Sequence, residues 1–196
     1  MTSQAPIESP SRVVTVARPV LVLVAVMWAV EVVDAVLPAM LDQWGIVGRS
    51  ASGAVGVLTA PFLHAGFGHL MANTLPFLVL GMLVAWRAPQ RFWAVLLVIM
   101  LVGGLSVWLL TSPATLTVGA SGVVFGFAAY LISAGVLTRH WLDILIAIGV
   151  VLVYGTMFSG VVPFGVPDGV SWLAHLAGAL AGVLAAFWFT PRQRAV

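Results

Sequence analysis

Six apolar stretches, each about as long as a membrane is thick, dominate this sequence of 196 residues. A helix needs roughly 20 mostly apolar residues to cross a bilayer, and inside lipid a helix satisfies its own peptide hydrogen bonds. The stretches are Pro19–Leu41, Leu70–Trp86, Phe92–Leu110, Val118–Leu137, Trp141–Phe158 and Val170–Phe189. The sequence therefore predicts an all-α membrane protein, built as a bundle of six transmembrane helices.

The residues outside these stretches form short tails and connections. We predict a disordered tail over residues 1–18, a six-helix domain over 19–190 and a second tail over 191–196. The first tail is polar and no small-residue cleavage site follows it, so it lacks the form of a signal peptide. A further apolar stretch, Ala51–Gly68, is rich in glycine and interrupted by Pro61. We expect it to be a loop element that lies in the membrane interface or dips into it.

The arginines predict the orientation of the spans, because cytoplasmic connections of membrane proteins carry an excess of basic residues. Seven of the eight arginines fall on one side of the six spans: Arg12, Arg18, Arg87, Arg91, Arg139, Arg192 and Arg194. Only Arg49 falls on the other side. Both termini are therefore predicted to be cytoplasmic, and the plasma membrane is the expected location if the protein is bacterial.

Charge and cysteine content exclude several kinds of function. Only 7% of the residues are charged, whereas a soluble domain carries roughly a quarter. The net charge is +2 and no dense basic patch is present, which argues against a nucleic-acid partner. The chain has no cysteine, so disulfide and thiolate chemistry are excluded.

Four polar side chains interrupt the apolar spans at one predicted depth. His69 and Asn73 open the second span, Ser121 opens the fourth, and His175 lies about one turn into the sixth. These three spans run in the same direction, so all four residues are expected in the outer part of the bilayer. Polar residues within a membrane are costly and mark candidate functional sites. A serine within reach of a histidine is the minimal equipment for nucleophilic catalysis.

Glycine spacing offers a way to bring the serine and the histidine together. The GxxxG pattern Gly122–Gly126 follows Ser121, and a second one, Gly178–Gly182, follows His175. Small residues at this spacing let two membrane helices approach closely. We therefore predict that the fourth and sixth spans pack on these faces.

The start of the fourth span also suits a developing negative charge. Ser121 lies in the first turn, where unpaired N–H groups and the helix dipole favour an oxyanion. His69 and Asn73 are four residues apart and share one face of the second span. Both side chains can donate hydrogen bonds toward a tetrahedral intermediate.

Together these residues resemble the motifs of the rhomboid intramembrane serine proteases. Three motifs carry the resemblance: His64-x4-His69-x3-Asn73, Gly119-Ala120-Ser121-Gly122 and His175-Leu176-Ala177-Gly178. They occur in the expected order on the expected spans, and the resemblance extends over nearly all of the chain from the first span to the sixth. It implies the minimal six-helix form found in bacteria, with no cofactor and no metal.

The resemblance also implies a role for each polar residue. Ser121 would be the nucleophile and His175 the general base of a Ser–His dyad. His69, Asn73 and the Ser121 backbone N–H would form the oxyanion hole. His64 corresponds to a family histidine that organises the loop before the second span. The implied activity is endopeptidase cleavage of transmembrane-anchored protein substrates near the outer membrane face, with protein substrates and membrane lipid as partners.

Three glycines of this chain match the family motifs, and one aromatic position differs from many family members. Gly119, Gly122 and Gly178 belong to the motifs as supporting residues. Many bacterial members carry a tyrosine four residues after the serine, where this chain has Phe125, so ring packing on the histidine is expected without the hydroxyl. The loop Ser159–Gly169 resembles the mobile cap over the family's site.

Three other functions are compatible with parts of this pattern. A catalytically inactive rhomboid-like scaffold that binds membrane proteins would usually have lost the serine or the histidine. A small transporter could use Glu31 and Asp34 of the first span, but acids on several helices and inverted repeats are missing. A metal site of three histidines is disfavoured, because the zinc-protease pattern H-E-x-x-H is absent. The oligomeric state stays open.

Overall fold

A computed structural model describes residues 10–37, 40–164, 166–167 and 169–190 of the chain. Its α-helices are α1 Pro10–Val36, α2 Ala51–Thr59, α3 Phe67–Arg87, α4 Phe92–Val98, α5 Gly104–Leu110, α6 Ser121–Thr138, α7 Trp141–Tyr154 and α8 Trp172–Phe189. A π-helical turn, Ile99–Gly103, joins α4 to α5, so that these two helices form one continuous span. Shorter 3-10 turns cover Leu41–Trp44, Ala60–Phe62 and Gly155–Val161.

Six helical segments among these residues are long and apolar enough to cross a membrane, as the sequence predicted. They are Val14–Val36, Phe67–Arg87, Phe92–Leu110, Ser121–Thr138, Trp141–Val161 and Trp172–Phe189. The chain is therefore an integral, multi-pass membrane protein with an all-α bundle. One boundary differs clearly from the prediction, because α1 already begins at Pro10, inside the predicted tail over residues 1–18. Proline suits the first helical position, since its missing N–H has no intrahelical partner there. The second predicted tail, 191–196, lies outside the described residues.

The prediction of a loop element over residues 51–68 is wrong, because most of this stretch is helical. The side chain of Ser50 caps α2 by accepting a hydrogen bond from the Gly53 N–H at 2.9 Å. Pro61 continues the helix as a 3-10 turn instead of breaking it. Gly53 and Gly56 pack closely, since a Cβ added at Gly56 would lie 2.5 Å from the backbone nitrogen of Ile46.

A two-residue β-ribbon lies at one end of the bundle. Ile46–Val47 pairs antiparallel with Leu116–Thr117, with Ile46 opposite Thr117. We call this the ribbon end; α3, α6 and α8 begin there, and α2 lies beside the first strand. The ribbon attaches the connection before α2 to the connection before α6. The Gly119 N–H also donates to the Ala60 carbonyl at 2.9 Å, which holds the start of α6 against the turn that follows α2.

Helix α6 is the centre of the bundle and packs most extensively on α8. A Cβ added at Gly178 would overlap the carbonyl oxygen of Gly122, and one at Gly182 would overlap that of Gly126. The predicted packing of the two GxxxG faces is therefore confirmed. No residue larger than glycine fits at Gly178 or Gly182 without separating the two helices.

The opposite end of the bundle is tied by a polar contact to α7. The Arg87 Nε at the end of α3 lies 2.5 Å from the Asp143 Oδ1 in the first turn of α7. Thr138 at the end of α6 donates to the other oxygen of Asp143 at 2.9 Å. Apart from this contact of Asp143, the span that includes α7 buries a smaller share of its residues than the other five spans.

Candidate active site

Ser121 and His175 meet at the ribbon end. Ser121 is the first residue of α6, and His175 lies in the first turn of α8. The Ser121 Oγ lies 3.0 Å from the His175 Nε2, within hydrogen-bond range. The close glycine contacts of α6 and α8 begin one residue after the serine and three residues after the histidine. The backbone packing therefore sets the distance between the two side chains.

The other ring nitrogen of His175 contacts a backbone carbonyl. Its Nδ1 lies 3.1 Å from the Gly160 oxygen, in the 3-10 turn that follows α7. A carbonyl only accepts hydrogen bonds, so Nδ1 is the protonated, donating nitrogen. The Nε2 lone pair of the neutral ring is then free to accept the Ser121 hydroxyl proton. No feature of the sequence marks Gly160 for this role, since every residue type carries a backbone carbonyl.

Phe125 holds the plane of the imidazole. Its ring stacks on the His175 ring with the centroids 4.2 Å apart and the planes 10° from parallel. Phe158 meets Phe125 edge-on, with the centroids 5.8 Å apart. Ring packing thus takes place without the tyrosine hydroxyl of other family members, as the resemblance led us to expect.

His69 packs on the glycine two residues before the serine. A Cβ added at Gly119 would lie 2.6 Å from the His69 Cε1, and Gly119 has a φ of +114°, which also favours glycine. Asn73 lies one turn further along α3, is 6% exposed, and donates from Nδ2 to the His69 carbonyl at 3.1 Å. One of its two amide hydrogens remains for another acceptor.

His64 supports this region from the loop before α3. The side chain is 1% exposed, and its ring edge meets the His69 ring with the centroids 5.2 Å apart. The His64 Nε2 faces the N–H of Ala120 at 3.4 Å. This histidine therefore lies between the predicted oxyanion-hole histidine and the residue that precedes Ser121.

Protonation of His64 is expected to destabilise the folded protein in mildly acidic solution. Burial, and secondly the neighbouring His69, lower the pKa of His64 from 6.5 to about 4. Unfolding restores an ordinary pKa, so the unfolded chain binds the proton more readily. The stabilising contribution is full above pH 6.5 and is lost as the pH falls toward 4, amounting to about 3 kcal/mol in total.

Thermal unfolding in detergent micelles measures this effect between about pH 7 and about pH 4.5. The loss of stability on acidification should be clearly smaller in His64→Asn than in the wild type. His140→Asn removes an exposed histidine at the start of α7 and is the matched control, which should behave like the wild type. An equal loss in His64→Asn and the wild type would contradict the assignment to His64.

The two acids of the first span lie near the ribbon end of α1. Glu31 is buried, and its carboxylate faces the backbone of Gly66. Asp34 accepts a hydrogen bond from the backbone N–H of Leu41, where the chain leaves α1. Asp34 thus holds the segment that follows α1, and Glu31 faces the residue that precedes α3. Within the part of the chain that the structure describes, no group of three His, Asp or Glu residues could hold a metal ion.

The fold and the site define a membrane-embedded helix bundle with a serine and a histidine in hydrogen-bond contact. Residues 51–192 match the sequence model of the rhomboid domain. Proteins of Mycobacterium tuberculosis and Mycobacterium bovis are 40% identical to this chain over 181 residues, covering 89% of the chain and 75% of each relative. A Mycobacterium leprae protein is 37% identical over 181 residues, covering 89% of this chain and 72% of its own length. All three are described as uncharacterized proteins. The chain belongs to the rhomboid family of intramembrane proteases.

Proposed function

We propose that this chain is an active intramembrane serine endopeptidase with Ser121 as the nucleophile and His175 as the general base. The contact of 3.0 Å between the Ser121 Oγ and the His175 Nε2 is the observation that carries the proposal. The Nδ1 contact to Gly160 supports it, because it leaves Nε2 as the accepting nitrogen. An inactive scaffold would have no need of an oriented pair of this kind.

The reaction proceeds in two stages, as in other serine proteases. His175 takes the hydroxyl proton as the Ser121 Oγ attacks the scissile carbonyl carbon, which gives a tetrahedral oxyanion. The C–N bond then breaks, the amine leaves with the proton from His175, and an acyl-enzyme ester remains. Water attacks this ester with His175 again as the base, and the carboxylic acid product and the free serine are released.

The oxyanion would be stabilised from two elements. The Ser121 N–H belongs to the first turn of α6 and has no intrahelical acceptor there. The side chains of His69 and Asn73 approach from α3, with His69 in contact with Gly119. Donors aimed at the developing charge in a site that excludes water typically contribute 10²–10³ in rate each.

The substrates we propose are proteins anchored by a transmembrane helix and cleaved near the outer face of the membrane. The arginine pattern predicts the ribbon end as the outer end, and the dyad lies there. The scissile peptide must be extended to be attacked, so helix-breaking residues in the substrate should favour cleavage. Entry beside α7 is the route we propose, because the span that contains it is the least buried.

A fluorophosphonate probe and a model single-span substrate test this function on the purified protein in detergent. We expect covalent labelling that peptide mass spectrometry maps to Ser121, together with cleavage of the substrate that a metal chelator does not reduce. Substrate binding without labelling or cleavage would instead support an inactive scaffold. Loss of cleavage on addition of a chelator would contradict the dyad.

A further inference from the structure

We propose that the backbone carbonyl of Gly160 is the positioning group for His175, and that the histidine is a competent base only while the turn Gly155–Val161 is seated against α8. The inference rests on the proposed function and concerns the regulation of the same site. In a Ser-His-Asp triad, a buried carboxylate fixes the tautomer and the orientation of the histidine. In this chain, the carbonyl of Gly160 on a different span takes the role of that carboxylate, and no sequence motif marks it.

Both nitrogens of the His175 ring lie within hydrogen-bond range of a partner. His175 contacts Ser121 through Nε2 at 3.0 Å and Gly160 through Nδ1 at 3.1 Å. Rotation of the ring by a half turn about the Cβ–Cγ bond would place Cδ2 against Gly160 and Cε1 against Ser121 in place of the two nitrogens. Stacking on Phe125 does not prevent such a rotation, because both orientations keep the ring in one plane. The Gly160 carbonyl distinguishes them, since it binds only a nitrogen that carries a hydrogen.

The turn and the imidazole are in close contact at Gly160. A Cβ added at Gly160 would lie 3.2 Å from the His175 Nδ1 and 3.3 Å from the Phe125 Cζ. Both distances are tighter than ordinary van der Waals contact. A methyl group at residue 160 therefore requires a shift of a few tenths of an ångström between the turn and the two rings, which lengthens the contact of the carbonyl with Nδ1.

The turn Gly155–Val161 is attached to the bundle at both of its ends and through its side chains. It continues from α7 in the least buried span, and the anchor of that helix, the contact of Asp143 with Arg87, lies at the opposite end. Near the dyad, the turn contacts the bundle through the Gly160 carbonyl, through Phe158 against Phe125, and through Met157, which packs on the hydrophobic core. An outward shift of about 1 Å would lengthen the Nδ1 contact beyond hydrogen-bond range.

Regulation follows from this attachment. Movement of the last turn of α7 away from α8, as the proposed lateral entry of a substrate helix requires, removes the acceptor of His175 and releases its ring. Return of the turn restores the acceptor and the tautomer. Cleavage is thereby coupled to re-seating of α7 after the substrate has entered, which limits attack by the serine while the site is open.

The test compares Gly160→Ala with Gly155→Ala, a glycine-to-alanine change in the same turn. The Cβ at residue 155 would have Val151 Cγ1 as its neighbour at 3.9 Å, which is ordinary contact. For the model substrate, we expect kcat to fall by about tenfold or more in Gly160→Ala, the equivalent of one lost hydrogen bond, with KM little changed. Gly155→Ala should retain the wild-type kcat.

Nitrogen-15 NMR of histidine-labelled protein supplies a readout that a merely structural role would not move. In the wild type at a pH where the ring is neutral, His175 should carry its hydrogen on Nδ1. In Gly160→Ala, a substantial fraction should carry it on Nε2. The signals of His175 are assigned from their loss in His175→Ala. This measurement requires no cleavage. The spectrum of the wild type alone still determines the tautomer of His175 if Gly160→Ala does not fold.

The outcomes separate the two proposals. A wild-type His175 with its hydrogen on Nε2, or a Gly160→Ala variant with unchanged kcat and tautomer, would overturn the positioning role while leaving the protease function intact. A wild-type protein that neither cleaves nor reacts with the probe, yet shows the Nδ1 tautomer, would overturn the protease function and retain the positioning contact.

Discussion

Replacing Ser121 by alanine should abolish both cleavage of a model substrate and labelling by a fluorophosphonate, and His175→Ala should reduce both to background. The hydroxyl is the proposed nucleophile, and without Nε2 at 3.0 Å no group in the dyad accepts its proton. In comparable serine proteases, loss of either residue lowers kcat by at least about 10⁴-fold. The measurement is the cleavage rate per mole of folded protein in detergent and in liposomes.

One control variant and the double variant sharpen this result. Ser106→Ala removes a half-buried serine that donates to the Val102 carbonyl at 2.8 Å within the third span, so it tests general loss of a membrane serine. We expect cleavage to persist in this variant. The double variant Ser121→Ala/His175→Ala should be no less active than either single one, because the two residues act as a unit. Residual specific cleavage by Ser121→Ala would exclude the proposed mechanism.

The number and the type of the helices were predictable because lipid leaves few alternatives. A stretch of about 20 apolar residues has to satisfy its peptide groups within itself, so its length and composition determine its structure. The stretch 51–68 was not predictable by the same argument. Glycine suggested a loop, but Gly53 and Gly56 pack against the chain around Val47 and Gly45. Whether a glycine is flexible or closely packed depends on a partner that the local sequence does not contain.

The candidate site was predictable where it consists of side chains that are out of place in a membrane. Ser121 and His175 stood out by their polarity, and their glycine patterns predicted the packing that brings them together. Gly160 did not stand out, since it contributes a carbonyl that every residue possesses. The amide of Asn73 donates to the His69 carbonyl, and this contact follows from side-chain orientation on α3, which residue spacing leaves open.

Gly178→Ala should destabilise the protein strongly and remove its activity, although the change adds a single methyl group. The Cβ would overlap the carbonyl oxygen of Gly122 and lie 2.7 Å from its carbonyl carbon. These are backbone atoms of α6, so no side-chain rotation relieves the clash and the two helices must separate. Overpacking of a well-packed core costs about 1–3 kcal/mol and occasionally more, and a backbone clash belongs at the upper end of that range.

A matched control exists in α7, where a Cβ added at Gly149 would have no atom within 4 Å. Gly149→Ala should leave the thermal unfolding midpoint unchanged or raise it slightly, because alanine favours a helix over glycine by up to about 1 kcal/mol. Unfolding followed by circular dichroism in detergent measures both variants. Equal midpoints for Gly178→Ala and Gly149→Ala would show that α6 and α8 do not pack as described.

The two glycines that face each other across α6 and α8 should respond unequally to the same substitution. A Cβ at Gly122 would meet the carbonyl oxygen of Ala174 at 3.2 Å, which a shift of a few tenths of an ångström relieves. Gly122→Ala should therefore cost less stability than Gly178→Ala, and its main effect should be on kcat, since Gly122 directly follows Ser121. The GxxxG pattern does not distinguish its glycines from one another. In the structure, the direction in which a Cβ would point differs between them and determines which glycine tolerates a methyl group. The reverse order of stabilities would mean that α8 is rotated relative to α6, and with it His175 relative to Ser121.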